Sequence, residues 1–175
     1  MPTKNKKPAS SHSADLVIIS DKNDKELGTM ERSEAIAKGQ RYRAVHVILT
    51  NADDTILVQW RTSTKPESPR TFTASAAGAV DPGETYEQAA HRELKEELGI
   101  TKKLKLTPLG AFQTKSANAQ LFSATYSGDV QGWEAEADAI DYLNRAEAEY
   151  LLQRYPYLLA PSFQQSLKLF LKATK

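Results

Sequence analysis

The sequence contains no cysteine, which excludes a disulfide scaffold, a zinc site with cysteine ligands and a thiol nucleophile. It also has no uninterrupted apolar run near the roughly 18 residues that a membrane-spanning helix needs. An excess of one charge is missing too, since 23 lysines and arginines face 22 aspartates and glutamates. Such a chain has no global bias towards nucleic acid or an anionic membrane, so neither is expected as a partner.

The composition is that of one globular domain, with 175 residues of which 40% are hydrophobic and 26% charged. Residues 1–14 contain three lysines and no acid, which predicts a disordered basic tail or a cloning remnant. This stretch has no apolar core of a secretory signal, so a cytoplasmic location is expected. Residues 15–175 are predicted to form the single domain.

Short runs of β-branched residues alternate with amphipathic segments, which predicts an α+β sandwich. Strands are predicted over residues 16–19, 42–50, 55–61, 71–77, 104–113, 120–127 and 139–143. Helices are predicted over residues 30–38, 86–98, 145–153 and 163–171. Capping boxes are predicted at Thr85 with Gln88, Asn144 with Glu147 and Ser162 with Gln165, and Gly39 and Gly99 are predicted to end helices.

Residues 78–100, GAVDPGETYEQAAHRELKEELGI, carry a cluster of acids on the second predicted helix. Glu93, Glu96 and Glu97 fall within one arc at spacings i, i+3 and i+4, where like charges destabilise a helix. A divalent metal is the natural partner, since hard cations take oxygen ligands, and a backbone carbonyl near Gly78 is a further candidate ligand. Taken alone, such an acidic stretch is also typical of a solvated surface helix.

The full segment matches every position of G-x5-E-x7-R-E-U-x-E-E-x-G-U, where U is apolar. The matching residues are Gly78, Glu84, Arg92, Glu93, Leu94, Glu96, Glu97, Gly99 and Ile100. A chance match has a probability on the order of 10⁻⁹ per start position. The segment therefore resembles the signature of the Nudix hydrolase family.

This resemblance implies an α/β/α sandwich with a mixed sheet and the hydrolysis of a diphosphate joined to another moiety, usually a nucleoside diphosphate. It implies that Glu93, Glu96 and Glu97 hold Mg²⁺ or Mn²⁺, with Gly78 beside them. Arg92 and Glu84 would form a supporting ion pair. The partner would be a small-molecule diphosphate substrate, and a homodimer is left open.

Sequences outside the signature resemble the isopentenyl-diphosphate-isomerase-like branch of the family. These are residues 41–47, 57–61, 64–65 and 76–78. True isomerases use a cysteine and a set of histidines, whereas this chain has no cysteine, has Tyr42 at a histidine position, and has residues 75–78 as Ser-Ala-Ala-Gly. A hydrolase is therefore favoured over two alternatives, an isomerase and a non-catalytic module that senses nucleotides.

Three further charged residues are candidates for the site. Arg61 and Lys65 match by spacing an Arg-x3-Lys pair that isomerases use on the diphosphate, although both also fit solvated loop cations. Glu136 precedes the last predicted strand, where several Nudix enzymes place a base or metal ligand, and a solvated acidic loop is the alternative. His46 lies among apolar neighbours in a strand, which favours a structural histidine.

Overall fold

A computed structural model describes residues 15–175, so the predicted tail at residues 1–14 lies outside the described residues. The strands are β1 (Leu16–Ser20), β2 (Glu26–Glu31), β3 (Tyr42–Thr50), β4 (Ile56–Arg61), β5 (Phe72–Thr73), β6 (Ala76–Ala79), β7 (Thr107–Gln113), β8 (Ala117–Thr125) and β9 (Ala137–Leu143). The helices are α1 (Arg32–Ala37), α2 (Tyr86–Leu98), α3 (Arg145–Arg154) and α4 (Pro161–Ala173). Within residues 15–175 no helix is both long and apolar enough to cross a membrane.

Strand β3 is the centre of the mixed sheet. It pairs with β8 in parallel along its whole length and with β6 in antiparallel orientation from Ala44 to Val47. Strand β4 meets β3 only at Thr50 and Ile56, and then pairs with β5 and β9. The sheet therefore opens between β3 and β4, which leaves the short strand β6 beside the gap.

Alternating side chains of β3 face two different helical layers. Val45 and Val47 pack in the cluster that contains α2, while Ile48 packs with α3 and α4 on the opposite face. Phe163 and Leu167 of α4 are fully buried there. The predicted α+β sandwich with a mixed sheet is thereby confirmed.

The structure differs from the predicted elements where pairing overrides local pattern. Strand β2 was not predicted, and its last two residues overlap the helix predicted over residues 30–38, yet it pairs along β1 as an exposed edge. The predicted strand over residues 71–77 is two short strands, β5 and β6, which pair with different neighbours. The predicted cap at Ser162 is wrong, since α4 begins at Pro161 with Ala160 as its N-cap residue. Proline at the first helical position makes a side-chain cap less necessary.

Helix α2 has the predicted ends. The Thr85 hydroxyl accepts from Gln88 N, and the Gln88 side chain accepts from Thr85 N, which completes the capping box. Gly99 ends the helix with φ +66°, and an added Cβ there would lie 3.0 Å from Gln131 O. Gln131 N in turn donates to Leu98 O, so the end of α2 holds the loop that leads to Glu136.

We predict that Gly99→Ala lowers the free energy of unfolding by about 2 kcal/mol, because it combines left-handed strain with the Gln131 contact. Gly39→Ala is the matched control, since Gly39 has φ +64° and open space around its Cβ position. It should cost only about 1 kcal/mol. Urea unfolding measures the free energy of unfolding of both variants. Equal losses would show that Gln131 moves away from the added Cβ at no cost in stability.

Candidate active site

The acidic residues of the signature line one cavity of about 280 Å³ between β6, α2 and the loops that precede β5 and β9. Gly78, Glu93, Glu96, Glu97, Glu136 and Lys65 all border it. Six carboxyl groups face three cations there. The carboxyl groups belong to Asp15, Asp81, Glu93, Glu96, Glu97 and Glu136, and the cations to Arg32, Lys65 and Arg92. The structure thus brings together every predicted metal ligand and one of the two predicted phosphate contacts.

Gly78 lets the Glu93 carboxylate lie directly against the backbone of β6. A Cβ added at Gly78 would collide with the Glu93 carboxylate. Glu93 is almost buried, at 8% exposure, while Leu94 and Leu98 of the same helix enter the core. The close approach of α2 to β6 therefore places a carboxylate, an oxygen donor of the kind that a hard cation takes, directly against the backbone of β6.

Arg92 connects the loop before α2 to the carboxylates on the helix. Its Nε lies 3.0 Å from Glu84 Oε1, and its Nη2 donates to Glu84 Oε2 at 3.0 Å and to Ala79 O at 2.8 Å. Its Nη1 donates to Glu93 at 2.6 Å and to Glu96 at 3.2 Å. Arg92 therefore contacts Glu84, its predicted partner, and also neutralises two of the predicted metal ligands.

Glu97 is held by a residue that the sequence analysis missed. Gln59 Nε2 donates to Glu97 Oε2 at 2.7 Å and to Ser75 O at 2.8 Å. The pKa of Glu97 is raised to about 8. Burial is the main cause of this rise, and the nearby Glu93 and Glu136 carboxylates contribute to it. The sequence signal that could have identified Gln59 is its isolated amide in the otherwise apolar start of β4.

Lys65 and Glu136 form an ion pair across the cavity mouth. The Glu136 carbonyl also accepts from Thr62 N, which joins the loop before β5 to the turn before β9. Arg61 lies to one side, where it borders the cavity edge formed by Gln59, Glu97 and Glu136. Its Nε donates to Glu67 O at 3.1 Å. Lys65 thus faces the carboxylates directly, and Arg61 flanks them.

The donor set fits a hard divalent cation, because carboxylates outnumber cations around one small cavity. In the described part of the chain, no three acidic or histidine side chains already converge as a metal cage. The reason is local, since Arg92 lies between Glu93 and Glu96 while Gln59 holds Glu97. Arg92 would have to release Glu93 and Glu96 for both to bind a metal.

We predict that the metal-free protein loses stability as the pH rises from about 5 to about 8. The folded state keeps a proton on Glu97 up to a pKa of about 8, whereas the unfolded chain releases it near 4.5, so the folded state binds more protons in this window. Urea unfolding with a chelator present measures the slope. Glu97→Gln should flatten it, and Glu134→Gln, at an exposed glutamate in the nearby turn, should keep the parent slope.

We predict that Arg92→Ala lowers the free energy of unfolding by about 2–3 kcal/mol. The change leaves Glu84 and Glu93 without their partner, and removing one member of a buried pair costs about 3–5 kcal/mol, reduced here by partial exposure. Lys95→Ala on the exposed face of α2 is the control and should stay within about 0.5 kcal/mol of the parent. Equal stability of the two variants would contradict a supporting role for Arg92.

Comparison with known proteins identifies the family. Residues 40–162 match the NUDIX domain. An uncharacterised Nudix hydrolase of Pseudomonas aeruginosa is 31% identical over 164 residues, which cover 91% of this chain and 95% of that relative. A Deinococcus radiodurans protein of known crystal structure shares the fold with a TM-score of 0.73 and 23% identity, over 87% of this chain and 97% of that one.

Relatives with another name are matched over shorter segments. A Pectobacterium atrosepticum protein named isopentenyl-diphosphate Delta-isomerase is 39% identical over 93 residues, which cover 53% of this chain and 51% of that relative. The chain thus spans about half the length of this and of several other curated relatives that it matches. The domain match and the near full-length relative show that the chain belongs to the Nudix hydrolase family, whose members act on phosphoanhydride bonds.

Proposed function

We propose that the protein is an Mg²⁺- or Mn²⁺-dependent pyrophosphohydrolase that cleaves the diphosphate linkage of a nucleoside diphosphate joined to another moiety. The observation that carries the proposal is the cavity in which six carboxyl groups, including the three glutamates of the signature, face three cations beside the backbone of β6. A diphosphate is itself strongly negative, so it binds there only together with added positive charge. Nudix hydrolases in general use divalent metals.

Glu93, Glu96 and Glu97 would hold the metal, with the carbonyl of Gly78 as a backbone donor. A bound divalent metal would supply neutralisation of phosphoryl charge and would lower the pKa of the attacking water. Gly78 permits this arrangement, because only a residue without a Cβ lets Glu93 lie against the strand. The Gln59 amide fixes one oxygen of Glu97, and the backbone of Ala77 also bonds to this carboxyl group, which sets its position in the site.

Lys65 and Arg61 bind the substrate phosphates in this proposal. Lys65 pairs with Glu136 at the cavity mouth, and an incoming phosphate would compete with that carboxylate for the lysine ammonium. Glu136, once released, accepts the proton of the water that attacks phosphorus. Arg61 flanks the same edge and contributes donors to the second phosphate.

The protein lacks the chemical groups that an isomerase would need. An isomerase must protonate one carbon and deprotonate another across an apolar pocket. Ser75, in the stretch where isomerases carry a cysteine and a histidine, is fully buried. Its hydroxyl donates to Leu57 O at 2.6 Å and accepts from Leu49 N at 2.8 Å, so it has no proton to give.

A non-catalytic sensing module is the other alternative, and the complete signature argues against it because a binding module has no need of every metal-ligating carboxylate. A cytoplasmic location, the absence of nucleic-acid and membrane partners, and a homodimer stay predictions. So does the assignment of residues 15–175 to a single domain.

We predict that the parent protein with Mg²⁺ or Mn²⁺ hydrolyses at least one nucleoside-diphosphate-linked compound to a monophosphate product. Phosphate release after a coupled phosphatase measures the rate. Glu96→Gln should lower it at least about 100-fold, more than the loss typical of residues that only orient metal ligands. Glu87→Gln, on an exposed glutamate of the same helix, should keep the parent rate.

Isopentenyl diphosphate incubated with the parent protein and Mg²⁺ should give no allylic isomer, which NMR of the products would detect, since isomerisation releases no phosphate. Circular dichroism establishes that Glu96→Gln keeps the fold. Allylic product from the parent that disappears in Glu96→Gln would show an isomerase instead of a hydrolase. Equal hydrolysis by the parent and Glu96→Gln would remove Glu96 from the site.

A further inference from the structure

A second cavity adjoins the carboxylate cavity on the α4 side of β6. Its volume is about 140 Å³, and it shares Arg32, Ala77, Gly78 and Ala79 with the first cavity. The second cavity is therefore within reach of a molecule whose diphosphate lies among the carboxylates. The volume is well below the about 300–1,000 Å³ of pockets for drug-sized ligands, so the cavity suits a compact group.

The walls of this second cavity are small and rich in hydroxyls. Six alanine methyl groups narrow it, five from β3, β6 and β8 and one from the residue before α4. They belong to Ala44, Ala77, Ala79, Ala117, Ala119 and Ala160. Hydroxyl side chains surround it, namely Ser68, Thr73, Thr114, Ser116 and Ser162. Arg32 and Arg61 border it with guanidinium donors. Such a lining matches a polar group of small size better than a hydrocarbon.

His46 borders the same cavity and is held in one orientation. Its Nδ1 lies 3.0 Å from Ser166 Oγ, and that hydroxyl donates to Phe163 O at 3.2 Å. Since the serine proton goes to the carbonyl, its oxygen accepts from His46 Nδ1–H, which assigns the tautomer from the hydrogen-bond network. Phe112 packs edge-on against the imidazole at 5.1 Å between ring centroids.

The other ring nitrogen of His46 is consequently an acceptor. Nε2 carries the lone pair in this tautomer and has no hydrogen-bond partner among residues 15–175. Burial lowers the pKa of His46 to about 4, so the ring stays neutral near pH 7. Around the cavity the guanidiniums offer donors, the hydroxyls can donate or accept, and Glu67 offers a charged acceptor, whereas this imidazole offers a neutral acceptor held in place by Ser166.

We propose that His46 is a specificity-determining residue, whose Nε2 accepts a hydrogen bond from a hydroxyl of a compact polyhydroxylated group joined to the substrate diphosphate. This inference rests on the proposed function for the diphosphate itself. In this proposal the group in the second cavity is sugar-like, and the nucleoside lies outside that cavity. The cavity offers a nucleobase no free aromatic face, because Arg32 covers the ring of Tyr42 at 5.8 Å.

A pair of ligands with equal carbon number isolates the hydroxyl contribution. Ribose 5-phosphate and pentyl phosphate each have five carbons and one phosphate, but only the first carries hydroxyls. Calorimetry of the full chain with Mg²⁺ should show ribose 5-phosphate binding at least about tenfold more tightly, the value of one or two net hydrogen bonds. Inorganic phosphate gives the affinity of the phosphate alone.

Variants of His46 test whether this residue reads the hydroxyl. His46→Leu should remove most of the preference for ribose 5-phosphate, while His46→Gln, which keeps an acceptor oxygen near the position of Nε2, should retain it. Ser166→Ala removes the hydroxyl that accepts from His46 Nδ1, so the ring is no longer held in one tautomer. The side-chain volume changes little, so the variant should fold and should show a reduced preference for ribose 5-phosphate. Phe112→Leu alters the packing of the same ring without removing the acceptor, and should leave the preference in place.

The outcomes separate this inference from the proposed function. Equal affinity for the two ligands in the parent, or an unchanged preference in both His46→Leu and Ser166→Ala, overturns the role of His46 even if nucleotide-linked compounds are hydrolysed. A preference that depends on His46 supports the role even if no compound of the hydrolysis screen is cleaved, in which case the proposed function fails alone.

Discussion

The Glu93 carboxylate occupies the space where any side chain at position 78 would begin, and the site depends on this contact. Burial of Leu94 and Leu98 draws α2 onto the sheet, and the small residues of β6 permit the helix to come close. The same approach brings Glu93 and Glu97 out of water against the backbone of β6. Apolar packing thus supplies the free energy that holds several like charges together.

The charge concentrated by this packing explains the cations around it. Arg92 donates to Glu84, Glu93 and Glu96 at once, so in the metal-free protein it supplies much of the missing positive charge. Its planar guanidinium suits such a task, since it presents several donors in fixed directions. A divalent metal would compete with Arg92 for two of these carboxylates, while the bond to Glu84 keeps the loop in place.

Local signals predicted the helix of the site well, and pairing between distant segments was not predictable. Thr85 and Gly99 mark the ends of α2 through bonds within a few residues, so a single stretch of sequence suffices. Gln59 reaches Glu97 from a strand 38 positions away, and only the register of β4 brings them together. Strand β2 was missed for the same reason, because its exposed residues show no alternation and only β1 defines it.

The polar groups on the two sides of β6 are brought together in different ways. On the α2 side a continuous motif gathers the carboxylates, since one helix carries Glu93, Glu96 and Glu97 at fixed spacing. On the α4 side His46 and Ser166 meet across 120 positions of sequence, with no motif to connect them. The family of the protein can therefore be predicted from a short segment, whereas the selectivity proposed for His46 depends on the packing of elements far apart in the chain.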